Sequence, residues 1–307
     1  MNILLFGKNG QLGRELQRVL PSVGEMIALG RSDLELFDLA SLRARIRSVK
    51  PDIIVNAAAY TWVDRAESEP ERAMEINAVA PGVMAQEAKR IGALLVHYST
   101  DYVFDGKKST PYLEEDEPSP INVYGQSKLK GEKAVQESGA SCYIFRSSWI
   151  YGIHGQNFLL TLIRLAMEKP EIRVVSDQIG APTWARTIAH ATQKILQSGK
   201  MNPENSGIYH LSAGGQASWY RFAQHIVSIL TMRLDCPLAR VVPIPASQYP
   251  SAAVRPANSL LSSDKLERVF GIRQPHWEAD LETCMQLWFE EHVETRKPED
   301  SDRGTKS

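Results

Sequence analysis

The chain has 307 residues, 43% hydrophobic and 23% charged, an ordinary globular composition that excludes collagen, a coiled coil and wholesale disorder. Its 35 basic and 36 acidic residues leave a net charge of −1, so the basic excess expected of a nucleic-acid groove is missing. Three cysteines without paired spacing, no run of 18 apolar residues and no leader-like start predict a cytoplasmic protein with no structural zinc, membrane or nucleic-acid partner.

The first half of the chain alternates short apolar runs with amphipathic stretches. Five candidate strands are Asn2–Phe6, Met26–Leu29, Asp52–Asn56, Leu94–Ser99 and Cys142–Arg146. Their continuous apolar character is typical of strands buried on both faces of a parallel sheet. Helical spacing of apolar residues lies between them, at 12–20, 72–91 and 124–137. We therefore predict an α/β fold with a doubly wound parallel sheet of the Rossmann type.

Beyond about residue 150 the alternation of strands and helices loosens. The helices predicted in this half are Asn157–Glu168, Thr187–Gln197, Trp219–Leu230 and Asp280–His292, with a proline-rich connector at Pro237–Pro256. We predict a dinucleotide-binding domain over residues 1–150 and a smaller, mainly substrate-binding C-terminal domain over 151–293. Part of the second domain can return to complete the first. Residues 294–307 are polar and predict a disordered tail.

A glycine-rich loop follows the first predicted strand directly. Gly7, Gly10 and Gly13 form a GxxGxxG pattern that opens the first predicted helix. Glycines allow the tight turn and let the backbone approach a diphosphate, and the helix N-terminus supplies free N–H groups and a positive dipole end. Because the pattern lies between the first strand and the first helix, it predicts a dinucleotide site.

The choice of cofactor is read at the end of the second strand. The strand ends Leu29-Gly30-Arg31-Ser32, and no acidic residue occurs until Asp33. A guanidinium suits a 2′-phosphate better than a hydroxyl, and Lys8 adds positive charge nearby. We predict a preference for NADPH over NADH; the alternative is that Arg31 is only a solvated surface charge.

A tyrosine and a lysine follow with YxxxK spacing, at Tyr124 and Lys128. On a helix the two side chains share a face, so an ammonium can lower the pKa of the phenol and help it to exchange a proton near neutral pH. Thr100 follows the fourth predicted strand, at the sheet edge where open α/β proteins bind ligands. Its hydroxyl can both donate and accept beside a ketone. The three residues together predict a site for carbonyl reduction.

Several segments carry a resemblance to a known family. The glycine loop, Ser99-Thr100 and YxxxK resemble the extended short-chain dehydrogenase/reductase superfamily, and longer segments resemble its dTDP-4-dehydrorhamnose reductase family. Those segments are 6–13 (FGKNGQLG), 55–61 (VNAAAYT), 98–106 (YSTDYVFDG), 123–128 (VYGQSK), 145–151 (FRSSWIY), 177–183 (DQIGAPT), 207–211 (GIYHL) and 255–259 (RPANS). The resemblance covers the chain to about Glu290.

The resemblance implies roles for individual residues. Thr100, Tyr124 and Lys128 match the catalytic triad. Residues implied to line the dinucleotide are Gly10, Gln11, Leu12, Asp38, Leu39, Ala59, Tyr60 and Thr61. Residues implied at or near the substrate are Thr61, Val63, Thr100, Asp101, Tyr102 and Trp149. Trp149 follows the fifth strand, where an aromatic ring can form the floor of a sugar site or belong to a domain interface.

The activity implied by the resemblance is the NAD(P)H-dependent reduction of the C4 keto group of dTDP-4-dehydro-L-rhamnose to dTDP-L-rhamnose, for cell-surface polysaccharide. A related sugar-nucleotide reductase or epimerase, such as one forming dTDP-6-deoxy-talose, stays an alternative. So does a non-catalytic regulatory subunit of methionine adenosyltransferase, because fold and dinucleotide binding do not prove turnover. Arg255, which precedes Pro256, is the candidate cation for the substrate diphosphate; it can instead brace a proline turn.

Two positions depart from the family pattern. Some members place an acidic residue where this chain has Gly30, which supports NADPH but leaves NADH use open. Some members bind magnesium at a dimer interface through glutamates. Glu15 matches one of these, but Arg186 stands where such members carry glutamate. We therefore assign no metal site. A homodimer is left as an alternative that does not depend on magnesium.

Overall fold

A computed structural model describes residues 1–292, and a six-stranded parallel sheet forms its first layer. The strands of this sheet are β1 (Asn2–Phe6), β2 (Glu25–Leu29), β3 (Ile53–Asn56), β4 (Leu94–Thr100), β5 (Cys142–Ser147) and β10 (Gly207–His210). Their order is β10-β5-β4-β3-β1-β2, and every neighbouring pair is parallel. The predicted doubly wound parallel sheet is confirmed.

Helices cover both faces of the sheet. Those of the first half are α1 (Gln11–Val19), α2 (Leu39–Val49), α3 (Val63–Ala66), α4 (Pro70–Met74), α5 (Ala80–Ile91) and α6 (Val123–Glu137). A π-helical turn, Glu75–Val79, joins α4 to α5, so that the predicted helix at 72–91 is one helical segment with a π-bulge.

The second half of the chain contains the remaining helices and short strands. Its helices are α7 (Phe158–Glu168), α8 (Ala185–Gln197), α9 (Trp219–Arg233), α10 (Asp264–Phe270) and α11 (Trp277–His292). Its short strands are β6 (Ile150–Tyr151), β7 (Glu171–Val175), β8 (Ile179–Gly180), β9 (Thr183–Trp184), β11 (Ala217–Ser218) and β12 (Arg240–Ile244). Strand β12 pairs with β7 inside the stretch predicted as a connector, because Val241, Val242 and Ile244 supply strand-forming residues between the prolines.

The apolar core is divided by the sheet. One cluster joins α1, α8 and α10 to the sheet through residues such as Leu16 and Ile188, and another lies on the opposite face among α2, α5 and α6. A separate cluster in the second half packs α7, α9 and α11 around Trp277 and Phe222. The chain after residue 184 therefore returns to the six-stranded sheet, where it contributes strand β10 and the covering helix α8.

Within the six-stranded sheet, two strands differ from the prediction. Strand β2 is the sheet edge, so alternate residues are exposed and Ile27 keeps 45% of its surface accessible, although burial on both faces was predicted. Strand β10 was not predicted, because four residues with only Ile208 and Tyr209 apolar give no continuous hydrophobic run.

The predicted disordered tail at 294–307 lies outside the described residues. Among residues 1–292, no helix is both long and apolar enough to cross a membrane.

Candidate active site

The glycine loop is shaped by close backbone contacts. Gly7 has φ +90°, and a Cβ there would lie 2.6 Å from the backbone nitrogen of Ala58, in the loop after β3. A Cβ on Gly13 would lie 2.0 Å from the carbonyl oxygen of Gly7. Gly10 is the N-cap of α1, no side chain caps the helix, and no acidic residue occupies its first turn to repel an anion. This cradle fits a dinucleotide diphosphate, as the sequence predicts.

The rim of the cradle carries one loosely held cation. Lys8 is already paired with Asp33 at 2.6 Å, and Asp33 also accepts a hydrogen bond from the backbone of Gly30. The side chain of Arg31 is 64% exposed, and its closest carboxylate is Glu35 at 3.8 Å. Arg31 is therefore free to turn toward a phosphate at the end of β2.

The loop after β3 is held by a residue that the sequence reasoning missed. Asn77, in the π-bulge, accepts a hydrogen bond from the backbone nitrogen of Tyr60 at 2.8 Å and donates to its carbonyl at 3.0 Å. The same amide donates to the hydroxyl of Ser127 on α6 at 3.0 Å. A single side chain thus ties the expected cofactor loop to the helix that carries Tyr124 and Lys128. The available signal was an asparagine inside an apolar helical stretch.

Thr100, Tyr124 and Lys128 are brought to one edge of the sheet. Thr100 ends β4, and its hydroxyl donates to Asp101 and accepts from the backbone of Tyr102. Tyr124 lies in the first turn of α6 and interacts with the Thr100 hydroxyl. Lys128 follows one turn later and is buried. The sequence prediction that these three residues share one site is consistent with this placement.

The electrostatics of the pair differ from the expectation. Loss of hydration raises the pKa of Tyr124 to about 12, although the Thr100 hydroxyl acts in the opposite direction. Burial lowers the pKa of Lys128 to about 8. The ammonium was expected to lower the pKa of the phenol, but its Nζ donates to the carbonyl of Tyr98 at 2.6 Å and lies 3.5 Å from His97. A phenol with a raised pKa stays protonated, which suits a proton donor.

Asp101 is a buried carboxyl beside the triad. It keeps 2% of its surface exposed, and burial raises its pKa to about 6. Ser148 donates to it at 3.4 Å. The neighbouring Tyr102 places its ring edge-on to Tyr124, with 5.6 Å between centroids. These residues form a polar wall next to the phenol, where the substrate was expected.

Trp149 is held in an uncommon backbone conformation, with φ +46°. Its indole stacks on Trp219 of α9, with 3.5 Å between ring centroids and 6° between planes. A Cβ on Gly180 would lie 2.4 Å from the same indole, so only glycine fits there. The ring is partly exposed and packs against α9 of the second half. The sequence did not connect Trp219 or Gly180 with Trp149, since each meets Trp149 only through folding.

An open pocket of about 440 Å³ lies beyond Tyr102, lined by Thr61, Trp62, Val63, Asp64, Arg65 and Arg255. Arg255 was predicted as a cation available to a diphosphate. In the structure its guanidinium is paired with Asp64 at 2.6 Å, and this pairing holds the pKa of Asp64 at about 2. The cation does reach the pocket, but a carboxylate already partners it.

The residues around Glu15 do not fit a magnesium ion. Glu15 is 3% exposed, and Arg186 donates to it at 2.9 Å, with Arg18 at 3.7 Å. Magnesium requires several oxygen ligands, whereas here guanidinium groups face the carboxylate. Among residues 1–292, no group of three or more His, Cys, Asp or Glu residues is arranged to hold a metal.

Comparison with known proteins adds independent findings. A family model described as the RmlD substrate binding domain matches residues 1–288. The dTDP-4-dehydrorhamnose reductase of Burkholderia thailandensis is 47% identical over 293 residues, which cover 93% of this chain and 98% of that protein.

Solved structures agree with the sequence relatives. A dTDP-4-dehydrorhamnose reductase from Clostridium acetobutylicum superimposes with a TM-score of 0.87 at 35% identity, over 94% of this chain and 99% of that one. The Bacillus anthracis enzyme, solved in complex with NADP, gives a TM-score of 0.86 at 36% identity, over 93% and 99%. The match therefore extends through both halves of the chain.

Proposed function

Since the chain belongs to the dTDP-4-dehydrorhamnose reductase family, we propose that it uses NADPH to reduce the C4 keto group of dTDP-4-dehydro-L-rhamnose. The product is dTDP-L-rhamnose, which supplies rhamnose for cell-surface polysaccharide. The observation that carries this proposal is the convergence of Thr100, Tyr124 and Lys128 at the edge of the sheet that also carries the glycine loop.

The glycine loop and the loop after β3 form the proposed cofactor site. The N–H groups at the start of α1 bind the diphosphate, and Arg31 binds the 2′-phosphate that distinguishes NADPH. Asn77 holds Tyr60, and with it the neighbouring Thr61, at a fixed distance from α6. NADPH supplies the hydride when it is bound. These contacts orient the cofactor toward the end of β4.

Tyr124 is the proposed proton donor to the carbonyl oxygen of the substrate. Its raised pKa keeps the phenol protonated before reaction. Thr100 holds the carbonyl once its hydroxyl proton, which Asp101 accepts in this structure, turns to the substrate. Lys128 contacts the ribose of the cofactor. It also stabilises the phenolate that remains after proton transfer, for which its ammonium has to turn from the carbonyl of Tyr98 toward Tyr124.

Substrate recognition is proposed for the polar wall and for the pocket next to it. Asp101, Tyr102 and Trp149 surround the sugar, with Thr61 and Val63 nearby. Arg255 then meets the diphosphate at the pocket of about 440 Å³. For this contact, the diphosphate has to accept from N–H groups of the guanidinium that Asp64 does not occupy.

The organisation of the protein is proposed on the same basis. Residues 1–150 bind the dinucleotide and 151–293 mainly bind the substrate. Strand β10 and helix α8 of the second part complete the six-stranded sheet and its cover. We propose a cytoplasmic enzyme and a homodimer that does not depend on a metal, since Arg186 faces Glu15.

The test is the oxidation of NADPH in the presence of dTDP-4-dehydro-L-rhamnose, with the product identified by nuclear magnetic resonance. A rhamno product is expected. A talo product would replace the assignment with the related reductase. Tight NADPH binding without turnover, together with a stoichiometric synthetase partner in a pull-down, would favour the regulatory alternative.

A further inference from the structure

A histidine in the sheet faces the amine of Lys128 inside the protein. His97, on β4, has no exposed surface, and its Nε2 lies 3.5 Å from Lys128 Nζ. The same Nζ donates to the carbonyl of Tyr98 at 2.6 Å. None of the chemistry proposed above uses His97. A buried titratable ring therefore lies beside the proposed catalytic amine.

The protonated nitrogen of His97 is determined by Asn56, its partner on β3 in the sheet register. The backbone nitrogen of Ala58 donates to Asn56 Oδ1 at 3.1 Å, which identifies the oxygen of that amide. The other atom, Nδ2, lies 3.0 Å from His97 Nδ1 and can only donate. Nδ1 must therefore accept, and a neutral ring carries its proton on Nε2, facing Lys128.

The ring is neutral. Burial, together with the nearby Lys128, lowers the pKa of His97 well below its ordinary value. An Nε2–H group and an ammonium are both donors, so they cannot form a hydrogen bond with each other. A neutral amine, by contrast, offers a lone pair that Nε2–H can reach. Since a hydrogen bond to the neutral form lowers the pKa of a lysine, His97 acts in the same direction as burial.

The other charged groups near Lys128 do not cancel this effect. Glu132, one turn further along α6, favours the ammonium. Both of its oxygens, however, are bound by Arg146 of β5 at 2.6 to 3.2 Å, so much of its charge is already compensated. Tyr124, on the same helix, is protonated and neutral. Along β4, the group that faces Nζ besides the carbonyl of Tyr98 is His97.

We propose that His97, held by Asn56 as the Nε2–H tautomer, is a positioning residue that favours the neutral amine of Lys128. It thereby sets the pH above which Lys128 stops binding the cofactor ribose and stabilising the phenolate. The kinetic part of this inference rests on the proposed sugar reduction, and the cofactor-binding limit rests on the proposed contact of Lys128 with NADPH, whereas the tautomer rests on neither.

Two variants test the proposal from opposite sides. His97→Asn can present its oxygen to Asn56 in place of Nδ1, but it places no N–H group at the Nε2 position. Asn56→Asp keeps the imidazole but requires Nδ1 to donate, so the lone pair moves to Nε2 and faces the ammonium. In both variants we expect the basic limb of kcat/KM to move upward by about one pH unit. We expect the pH above which NADPH affinity falls, measured by fluorescence, to rise by the same amount.

Tyr98→Phe is the matched control. It removes a buried hydrogen bond to Thr192, 2.7 Å long, from the next position of the same strand. The loss lowers stability without changing a group that faces Nζ. We expect the two basic limbs to stay where they are in this variant.

Nuclear magnetic resonance of protein with ¹⁵N-labelled histidine gives a readout without turnover. The signals of His97 are those lost in His97→Asn, and we expect an unprotonated Nδ1 and a protonated Nε2 throughout the working pH range. A proton on Nδ1, an imidazolium, or basic limbs that stay unchanged in both variants would overturn the proposal. Failure to reduce the dTDP-sugar, with the NADPH limb shifted as expected, would contradict the proposed function instead.

Discussion

The guanidinium of Arg255 binds both carboxylate oxygens of Asp64, at 2.6 and 3.2 Å. Asp64 also accepts hydrogen bonds from Ser251 and from the backbone of Ala253. Helix α3, next to the expected cofactor loop, is thus fastened to the chain that follows β12. The same ion pair borders the open pocket near Tyr102, so it can serve both shape and substrate binding.

The two functions of this ion pair can be separated. Arg255→Ala removes both the cation and its link from α3 to the chain after β12. Asp64→Asn weakens this link but leaves the cation. If Arg255 binds the diphosphate, Arg255→Ala raises the KM for the dTDP-sugar about tenfold or more, because a charge-assisted hydrogen bond is lost. Asp64→Asn changes it little. Equal KM values in the two variants would mean that Arg255 only links α3 to the chain after β12 and does not bind the diphosphate.

Tyr124→Phe tests the proposed proton donor. The variant keeps the ring and its edge contact with Tyr102 but removes the hydroxyl, so kcat falls by roughly 10²- to 10⁴-fold. NADPH affinity, measured by fluorescence, stays close to that of the wild type. Tyr143→Phe, which loses a hydroxyl bonded to the carbonyl of Asn202, is a control for the loss of a tyrosine hydroxyl. Full activity in Tyr124→Phe would exclude the mechanism.

Lys128→Met separates the two tasks proposed for this amine. The substitution keeps an unbranched apolar stem but removes the contact with Tyr98 and, by proposal, with the cofactor ribose. We expect lower kcat and weaker NADPH binding together, unlike the result for Tyr124→Phe. The comparison uses NADPH titration and initial rates at one pH below 8, where the ammonium form prevails. Unchanged NADPH affinity would remove Lys128 from the cofactor site.

Arg31→Asp tests cofactor choice. A carboxylate at this position repels the 2′-phosphate and can accept from a free 2′-hydroxyl, so the preference for NADPH over NADH falls by about tenfold or more. Arg90→Asp makes the same charge change at an exposed position of α5 and is the control. The measured quantity is the ratio of kcat/KM for the two cofactors. An intact ratio in Arg31→Asp would leave Arg31 a surface charge.

Asp101→Asn tests how the buried carboxyl affects stability. The folded-state pKa is about 6 and the model value is 3.8, so the folded protein binds this proton more tightly than the unfolded chain does. Relative stability is therefore highest below about pH 4 and falls by roughly 3 kcal/mol as the pH rises through 6. The amide variant lacks this loss. Urea unfolding between pH 4 and 7 measures it, with exposed Asp264→Asn as the control.

Local sequence features predicted the core of the fold. Continuous apolar runs predicted β1, β3, β4 and β5 to within a residue or two, because a strand buried on both faces needs such a run. The short β10 has no such run and joins the sheet only through its pairing with β5. Helix bounds differed mainly at the first turn, where capping side chains such as Asn157 decide where the helix starts.

The sequence by itself determined the glycine loop, the YxxxK pair and the position of Thr100, since each depends on spacing within one strand–loop–helix unit. Only the tertiary structure decided which charges meet. The pairing of Arg255 with Asp64, the stacking of Trp149 on Trp219 and the approach of His97 to Lys128 join residues far apart in the chain. The pKa of Tyr124 belongs to this second group, because burial and the direction of a neighbouring amine are set by packing, not by helical spacing.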